Sequence, residues 1–223
     1  MTIRKLTLIT ALALMLAPVA AFADTISVAN ASFEILPAGF PSATCGGSCA
    51  YDEGLPIAGW NTTGSYGQWI TGGFDGNPSA IDGNVLAFSD SGAISQTVAS
   101  AIAGETYTLQ VDVLHRTDDP IGAMVQIEIG GVVVGTAPIV DNGPGTWANW
   151  TATATATPAE AGKPVAILLT TTGIGQGDWD NVRMTGSAVP EPGTTLLLGL
   201  GLAGLVALWW CGKQGGRASD LRL

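Results

Sequence analysis

Between Asp24 and Ser187 the apolar residues recur at every second position in short runs, and Gly, Pro, Asn and Asp separate the runs. Tyr107, Leu109, Val111 and Val113 alternate with Thr108, Gln110 and Asp112, a period of two that predicts a strand over Glu105–Leu114 with one buried face. Val125, Ile127 and Ile129 alternate likewise with Gln126 and Glu128, and Gly130-Gly131 supplies the positive φ angles of a tight hairpin into Val132–Val134. Further strands are expected at 26–34, 57–62, 68–71, 85–88, 93–98, 146–155, 165–172 and 179–185. The Thr-Ala alternation of 151–157 reads as a strand with a shallow face, ended by Pro158. No sustained 3.6-residue period interrupts this series, so the prediction is an all-β fold of two packed sheets.

Both ends depart from that pattern. Arg4 and Lys5 precede the apolar stretch Leu6–Leu16, Pro18 breaks it, and Ala21-Phe22-Ala23 offers a small-x-small cleavage site before Asp24. This is the order of a secretory signal peptide, and the stretch is too short to span a bilayer comfortably. At the other end Val189-Pro190-Glu191-Pro192-Gly193 leads into an apolar run, Thr194–Trp210, and a tail bearing Lys213, Arg217 and Arg222. A polar break, one hydrophobic span and a basic end stop an exported chain in a membrane with the tail inside. The arrangement closely resembles the PEP-CTERM sorting signal of Gram-negative envelope proteins. That resemblance implies recognition, and cleavage near Pro-Glu-Pro, by an exosortase-type transpeptidase. The chain thereby divides into a signal peptide (1–23), one domain (24–187) and a sorting segment with a transmembrane helix (188–223). The expected location is the envelope or outer surface, or the medium, after transient anchoring in the inner membrane.

Export gives the charge and the cysteines their meaning. The 24–187 segment holds 16 acidic residues against three basic ones, Arg116, Lys163 and Arg183, a surface that repels a phosphate backbone and excludes nucleic-acid binding. Cys45 and Cys49 stand in Cys-Gly-Gly-Ser-Cys, and in an oxidising compartment this spacing is read first as a short-loop disulfide. A metal pair would need a second Cys/His pair, which the chain lacks, and a redox role lacks a basic neighbour.

Five short motifs follow one another in order: Asn30-Ala31-Ser32-Phe33-Glu34, Ile57-Ala58-Gly59-Trp60, Ile94-Ser95-Gln96-Thr97, Gly104-Glu105-Thr106-Tyr107-Thr108-Leu109 and Asp180-Asn181-Val182. The series resembles exported modules with the galactose-binding-like jelly-roll β-sandwich, an architecture shared by carbohydrate-binding modules and choice-of-anchor domains. Such sandwiches often hold a structural calcium where the first and last strands meet, and the resemblance implies Glu34 and Asp180 as its ligands. Asp180 shares parity with Val182 and Met184, and an inward carboxylate at a strand end needs a cation or hydrogen-bond donors. The alternative is that Asp180 caps the 175–178 turn and Glu34 is solvated.

Chemistry for catalysis is thin in the sequence. His115 is the one histidine and lacks a nucleophile elbow or a second metal-ligating histidine. Asp52-Glu53 and Asp118-Asp119 are carboxylate pairs of the type glycoside hydrolysis uses, at a separation the sequence does not give. Aromatic residues carry more weight. Trp147 and Trp150 have opposite parity on one expected strand, so one of them is expected outside the core. Tyr66, Trp69 and Phe74 flank a Gly-rich loop with Asn77 and Asp82, and with Trp147 they are the candidate sugar-stacking surface; the competing reading buries them beneath the loops at 36–56 and 72–84. The functional expectation is a non-catalytic, envelope-sorted module that binds extracellular polysaccharide. A structural matrix protein is the first alternative and a glycan hydrolase the second.

Overall fold

The computed structural model describes residues 23–188 and 199–206. The signal peptide up to Phe22, the Val189-Pro190-Glu191-Pro192 motif and most of the tail lie outside the described residues. Residues 199–206 are helical, and among the described residues no helix is long and apolar enough to cross a membrane.

Eleven strands make up the folded unit: β1 (Ala23–Ile26), β2 (Ala43–Gly46), β3 (Cys49–Tyr51), β4 (Asn61–Ile70), β5 (Leu86–Ser100), β6 (Glu105–His115), β7 (Ala123–Ile129), β8 (Val132–Thr136), β9 (Thr146–Thr155), β10 (Pro164–Thr171) and β11 (Gly177–Ala188). One layer runs β2-β3-β4-β5-β10-β7-β8, and the other runs β1-β11-β6-β9, with every ladder antiparallel. Strand β11 stitches them together. Its first three residues pair with β5, through Gly177–Ser89, Asp178–Phe88 and Trp179–Ala87, and the rest pairs with β6. The result is a jelly-roll β-sandwich.

Between the layers the period-two pattern produces the main core. Tyr107, Leu109, Val111 and Val113 of β6 meet Val125, Ile127 and Ile129 of β7 and Val165, Ile167 and Leu169 of β10. The Thr-Ala alternation of β9 turns Ala148, Ala152 and Ala154 inward, and the small methyls leave room for the indole of Trp150, which is 1% exposed. Polar staples close the end of the sandwich near Ala29: the Gln96 side chain accepts from Ala29 N–H and donates to the carbonyls of Ala29 and Gly59.

Four sequence expectations change, one of them at 57–62 and 68–71, where the single strand β4 (Asn61–Ile70) replaces two expected strands. The 26–34 strand stops at Ile26, because Asn30 and Phe33 take left-handed backbone conformations (φ 47° and 59°) that end an extended run. The loop expected over 36–56 contains the β2–β3 hairpin. The strands expected at 85–88 and 93–98 are parts of one, β5, whose glycine Gly92 packs against Gly64 of β4.

Candidate functional site

Where β11 enters between β5 and β6, five strands present a second apolar face outside the main core. Val85 and Ala87 point into the main core while Leu86 and Phe88 point away; Val113 points in and Leu114 away. Register places Gly67 against Phe88, Phe88 against Asp178, and Leu114 against Trp147. Because Trp179 pairs with Val113, Asp178 stands beside Leu114 in the same row. Gly67 is required there: a Cβ on it would lie 1.9 Å from the Asp52 carbonyl and 2.7 Å from the Phe88 ring.

The β2–β3 hairpin forms one wall over this floor. Cys45 and Cys49 are joined as a disulfide, and Cys49 Sγ receives the Trp69 indole N–H at 3.2 Å. Tyr51 meets Phe88 edge-on with 6.4 Å between centroids. The open cleft has a volume of about 340 Å³, at the small end for organic-ligand sites, and is lined by Tyr51, Trp69, Phe74 and Phe88 with Glu53, Asp90, Arg116 and Gln176.

A charged network occupies the adjoining row. Arg116 donates to both oxygens of Asp118, at 2.9 and 2.5 Å, and to Gln176 Oε1. Its guanidinium also lies over the Trp69 ring, 4.7 Å from the centroid. Gln176 passes the chain on, donating its side-chain N–H to Asp90 Oδ1 at 2.7 Å and its backbone N–H to Asp119 Oδ2 at 2.6 Å. Burial disfavours the Arg116 charge, yet the hydrogen bonds to Asp118 and the surrounding carboxylates outweigh it and hold the guanidinium protonated. Arg116 in turn, with help from the Asn77 amide, draws the Asp118 carboxyl below its ordinary range.

Asp178 is different in kind. It is fully buried beneath the cleft, paired in register with Phe88, and among the described residues neither carboxyl oxygen has a hydrogen-bond partner. Burial pushes its pKa well above the ordinary carboxylate range; Arg116 opposes this, while Asp90, Asp119 and Asp118 add to it. An acid in that setting holds its proton more tightly than a free carboxyl does.

The candidate residues from the sequence separate into groups. Trp69 and Phe74 line the cleft, and Trp147 packs into the same apolar cluster with its N–H donated to the Ser79 carbonyl. Tyr66 does not join them: with Ile70 it faces the main core, on the opposite side of β4 from Trp69. Asn77 ties the floor together by bonding Asp118 and Thr117, whereas Asp82 bonds Ser32. Of the acid pairs, Asp52 is buried with its pKa raised, Glu53 reaches the cleft, and Asp118 and Asp119 are spent on Arg116 and Gln176. His115 pairs with Asp141 at 2.7 Å, away from the cleft lining.

Glu34 and Asp180 converge on one loop. Glu34 Oε1 accepts N–H bonds from Asn84 and Val85, and Asp180 accepts from Ile81, Asp82 and Asn181. The parity reasoning for Asp180 is corrected by a β-bulge. Asn181 at φ 50° shifts register between Asp180 and Arg183, so Trp179, Val182 and Met184 share the main core while Asp180 turns to the other face, beneath the loop. Both carboxylates act as clamps for backbone N–H groups, and among the described residues no group of three or more His, Cys, Asp or Glu is arranged to hold a metal.

Known proteins bear on this geometry. A family model described as HpiC1 cyclase matches residues 24–185, and one described as the PEP-CTERM protein-sorting motif matches residues 188–209. The latter marks the chain for export and membrane-associated sorting, and implies exosortase processing. No curated protein matches the chain in sequence. A Stig cyclase from Fischerella sp. TAU, solved in complex with (3Z)-3-(1-methyl-2-pyrrolidinylidene)-3H-indole, has a TM-score of 0.59 at 24% identity, covering 74% of this chain and 98% of that one. An apo cyclase from Fischerella sp. gives 0.57 at 22% identity, covering 74% and 96%. The CBM22-1 xylan-binding domain from Paenibacillus barcinonensis gives 0.47 at 11% identity, covering 78% and 99%. At these identities the likeness is one of fold. The expectation of a non-catalytic module therefore has to be set against a family defined by cyclases, since the family match runs through nearly all of the strand-bearing unit. The chain belongs to the HpiC1 cyclase-like family and carries a PEP-CTERM sorting motif.

Proposed function

We propose that the exported domain binds a flat, electron-rich small molecule in the cleft and cyclises it by acid catalysis, with Asp178 as the proton donor. The observation that carries this reading is the Asp178 carboxyl, buried beneath the cleft beside Phe88 and without a hydrogen-bond partner among the described residues. Transfer of its proton to a substrate double bond leaves a carbocation on the substrate and a carboxylate on Asp178. The Arg116 guanidinium nearby offsets the new negative charge. An internal carbon nucleophile closes the ring, and loss of a proton back to Asp178 restores the acid, so the reaction is a net isomerisation. The cyclases solved with indole-bearing ligands support a heteroaromatic substrate of that size. The test is incubation of the mature domain with a 3-alkenylindole in heavy water. Isomerisation with deuterium incorporation by the wild type, lost in Asp178→Asn with the melting temperature retained, is expected; no turnover by the wild type overturns the catalytic reading.

A second reading keeps the same cleft for non-catalytic binding of extracellular polysaccharide after envelope sorting. The mixture of Tyr51, Phe74 and Phe88 with the carboxylates and amide of Glu53, Asp90 and Gln176 favours it, since sugars offer apolar faces and hydroxyl groups together. Retention on an immobilised polysaccharide, lost in Phe74→Ala, is its signature.

A further inference from the structure

The rim of the cleft contains an unbalanced pair of acids. Ser65 Oγ stands 3.0 Å from Glu53 Oε1 and 3.1 Å from Asp90 Oδ2, and a hydroxyl has one hydrogen to give. Ser65 therefore satisfies one carboxylate and leaves the other facing it without that donor. Asp90 has a second donor in Gln176; Glu53 has Ser65 alone among its hydrogen bonds in the described residues. Arg116, the one cation lining the cleft among the described residues, is spent on Asp118, Gln176 and the Trp69 face. Behind the rim, Asp178 adds a fully buried carboxyl on the same sheet face with, among the described residues, no partner for either oxygen. The walls between are the rings of Tyr51, Phe74 and Phe88, whose faces are electron-rich. A site with two crowded carboxylates at its mouth, aromatic walls and, among the described residues, no free cation is complementary to a positive charge.

We infer that the cleft selects a ligand bearing a protonated amine, with the ammonium held between Glu53 and Asp90 and the body of the molecule against Tyr51 and Phe88. This rests on the reading that the cleft is the functional site, and it names the class of molecule that site takes. An ammonium supplies the hydrogens that Ser65 lacks, and charge-assisted hydrogen bonds of this type are stronger than neutral ones.

The test is calorimetric binding of tryptamine and of its neutral counterpart indole-3-ethanol to the mature domain at low salt, with glucosamine and N-acetylglucosamine as a second pair. Tryptamine is expected to bind about tenfold more tightly than indole-3-ethanol. The margin should narrow at high salt and close to near parity in the Glu53→Gln/Asp90→Asn double variant, whose exposed substitutions leave the melting temperature unchanged. Preference for glucosamine over N-acetylglucosamine, with no discrimination in the indole pair, supports the ammonium site and overturns the indole-sized reading. Equal affinity within both pairs overturns the ammonium assignment while the cleft stands, and absence of all binding overturns both. A preference that survives in the double variant places the amine elsewhere and also overturns the assignment.

Discussion

The guanidinium of Arg116 covers one face of the Trp69 indole at 4.7 Å, and the Trp69 N–H is held by Cys49 Sγ. Trp69 is 4% exposed, so it builds the cleft floor instead of offering an open ring to a ligand. Trp69→Ala is therefore expected to cost about 3–5 kcal/mol of stability, as truncations of buried aromatics do. Phe74→Ala, at a half-buried position, is expected to weaken ligand binding at smaller cost. Denaturant melts beside binding isotherms separate the two.

Asp178 gives stability a dependence on pH with a definite sign. Its folded pKa lies well above the 3.8 of a free carboxyl, so the native state binds the extra proton. The stabilisation is complete below the unfolded value and is lost as pH rises through the folded one. Asp178→Asn is expected to flatten the fall in melting temperature above the ordinary carboxylate range and to be more stable than the wild type at high pH. Superimposable pH–melting curves for the two proteins would show that Asp178 ionises freely.

The Cys45–Cys49 bond closes a short loop, and its loss is expected to destabilise by about 2 kcal/mol by the loop-entropy relation. Because Cys49 also receives the Trp69 N–H, Cys49→Ser should lower ligand affinity as well as the melting temperature. Alkylation of freshly exported protein without reductant should leave both cysteines unlabelled.

Calcium at Glu34 and Asp180 is checked directly. Ligand binding to the native state alone raises stability, so a melting temperature higher in calcium than in chelator, with the difference erased in Asp180→Ala, is the outcome that would place the ion there. Identical curves for the wild type in calcium and chelator would leave the two carboxylates as loop clamps only.

Processing at the tail has a mass signature. Native material is expected to end near Pro190–Gly193, and deletion of 194–223 to release soluble domain. Native chains all ending at Leu223 would count against cleavage.

The parts of the molecule that were legible in the sequence are those governed by local period. β6 and β7 show their buried faces as written, since alternation alone decides which side chains enter the core. The Asp180–Asn181 bulge was illegible because one extra residue inverts parity and nothing in Trp-Asp-Asn-Val announces it. The cleft was illegible for a different reason. Asp90 lies within β5, Arg116 just after β6 and Gln176 just before β11, three strands that become neighbours only because β11 enters between β5 and β6. Phe74 and Trp69 were visible as aromatics, but Asp178 looked like an ordinary turn acid, and only tertiary burial removes its partners.

The seam made by β11 has a bearing on when the domain comes into being. Its pairing with β5 joins residues about ninety positions apart, and long-range closures of this kind are slow and late in folding. Until Gly177–Ala188 has arrived, neither the latch between the layers nor the cleft floor exists. The sorting motif match begins at residue 188, the last residue of that strand. A chain emerging from export N-terminus first thus completes its fold and displays its address in the same few residues, so a truncated product lacks both.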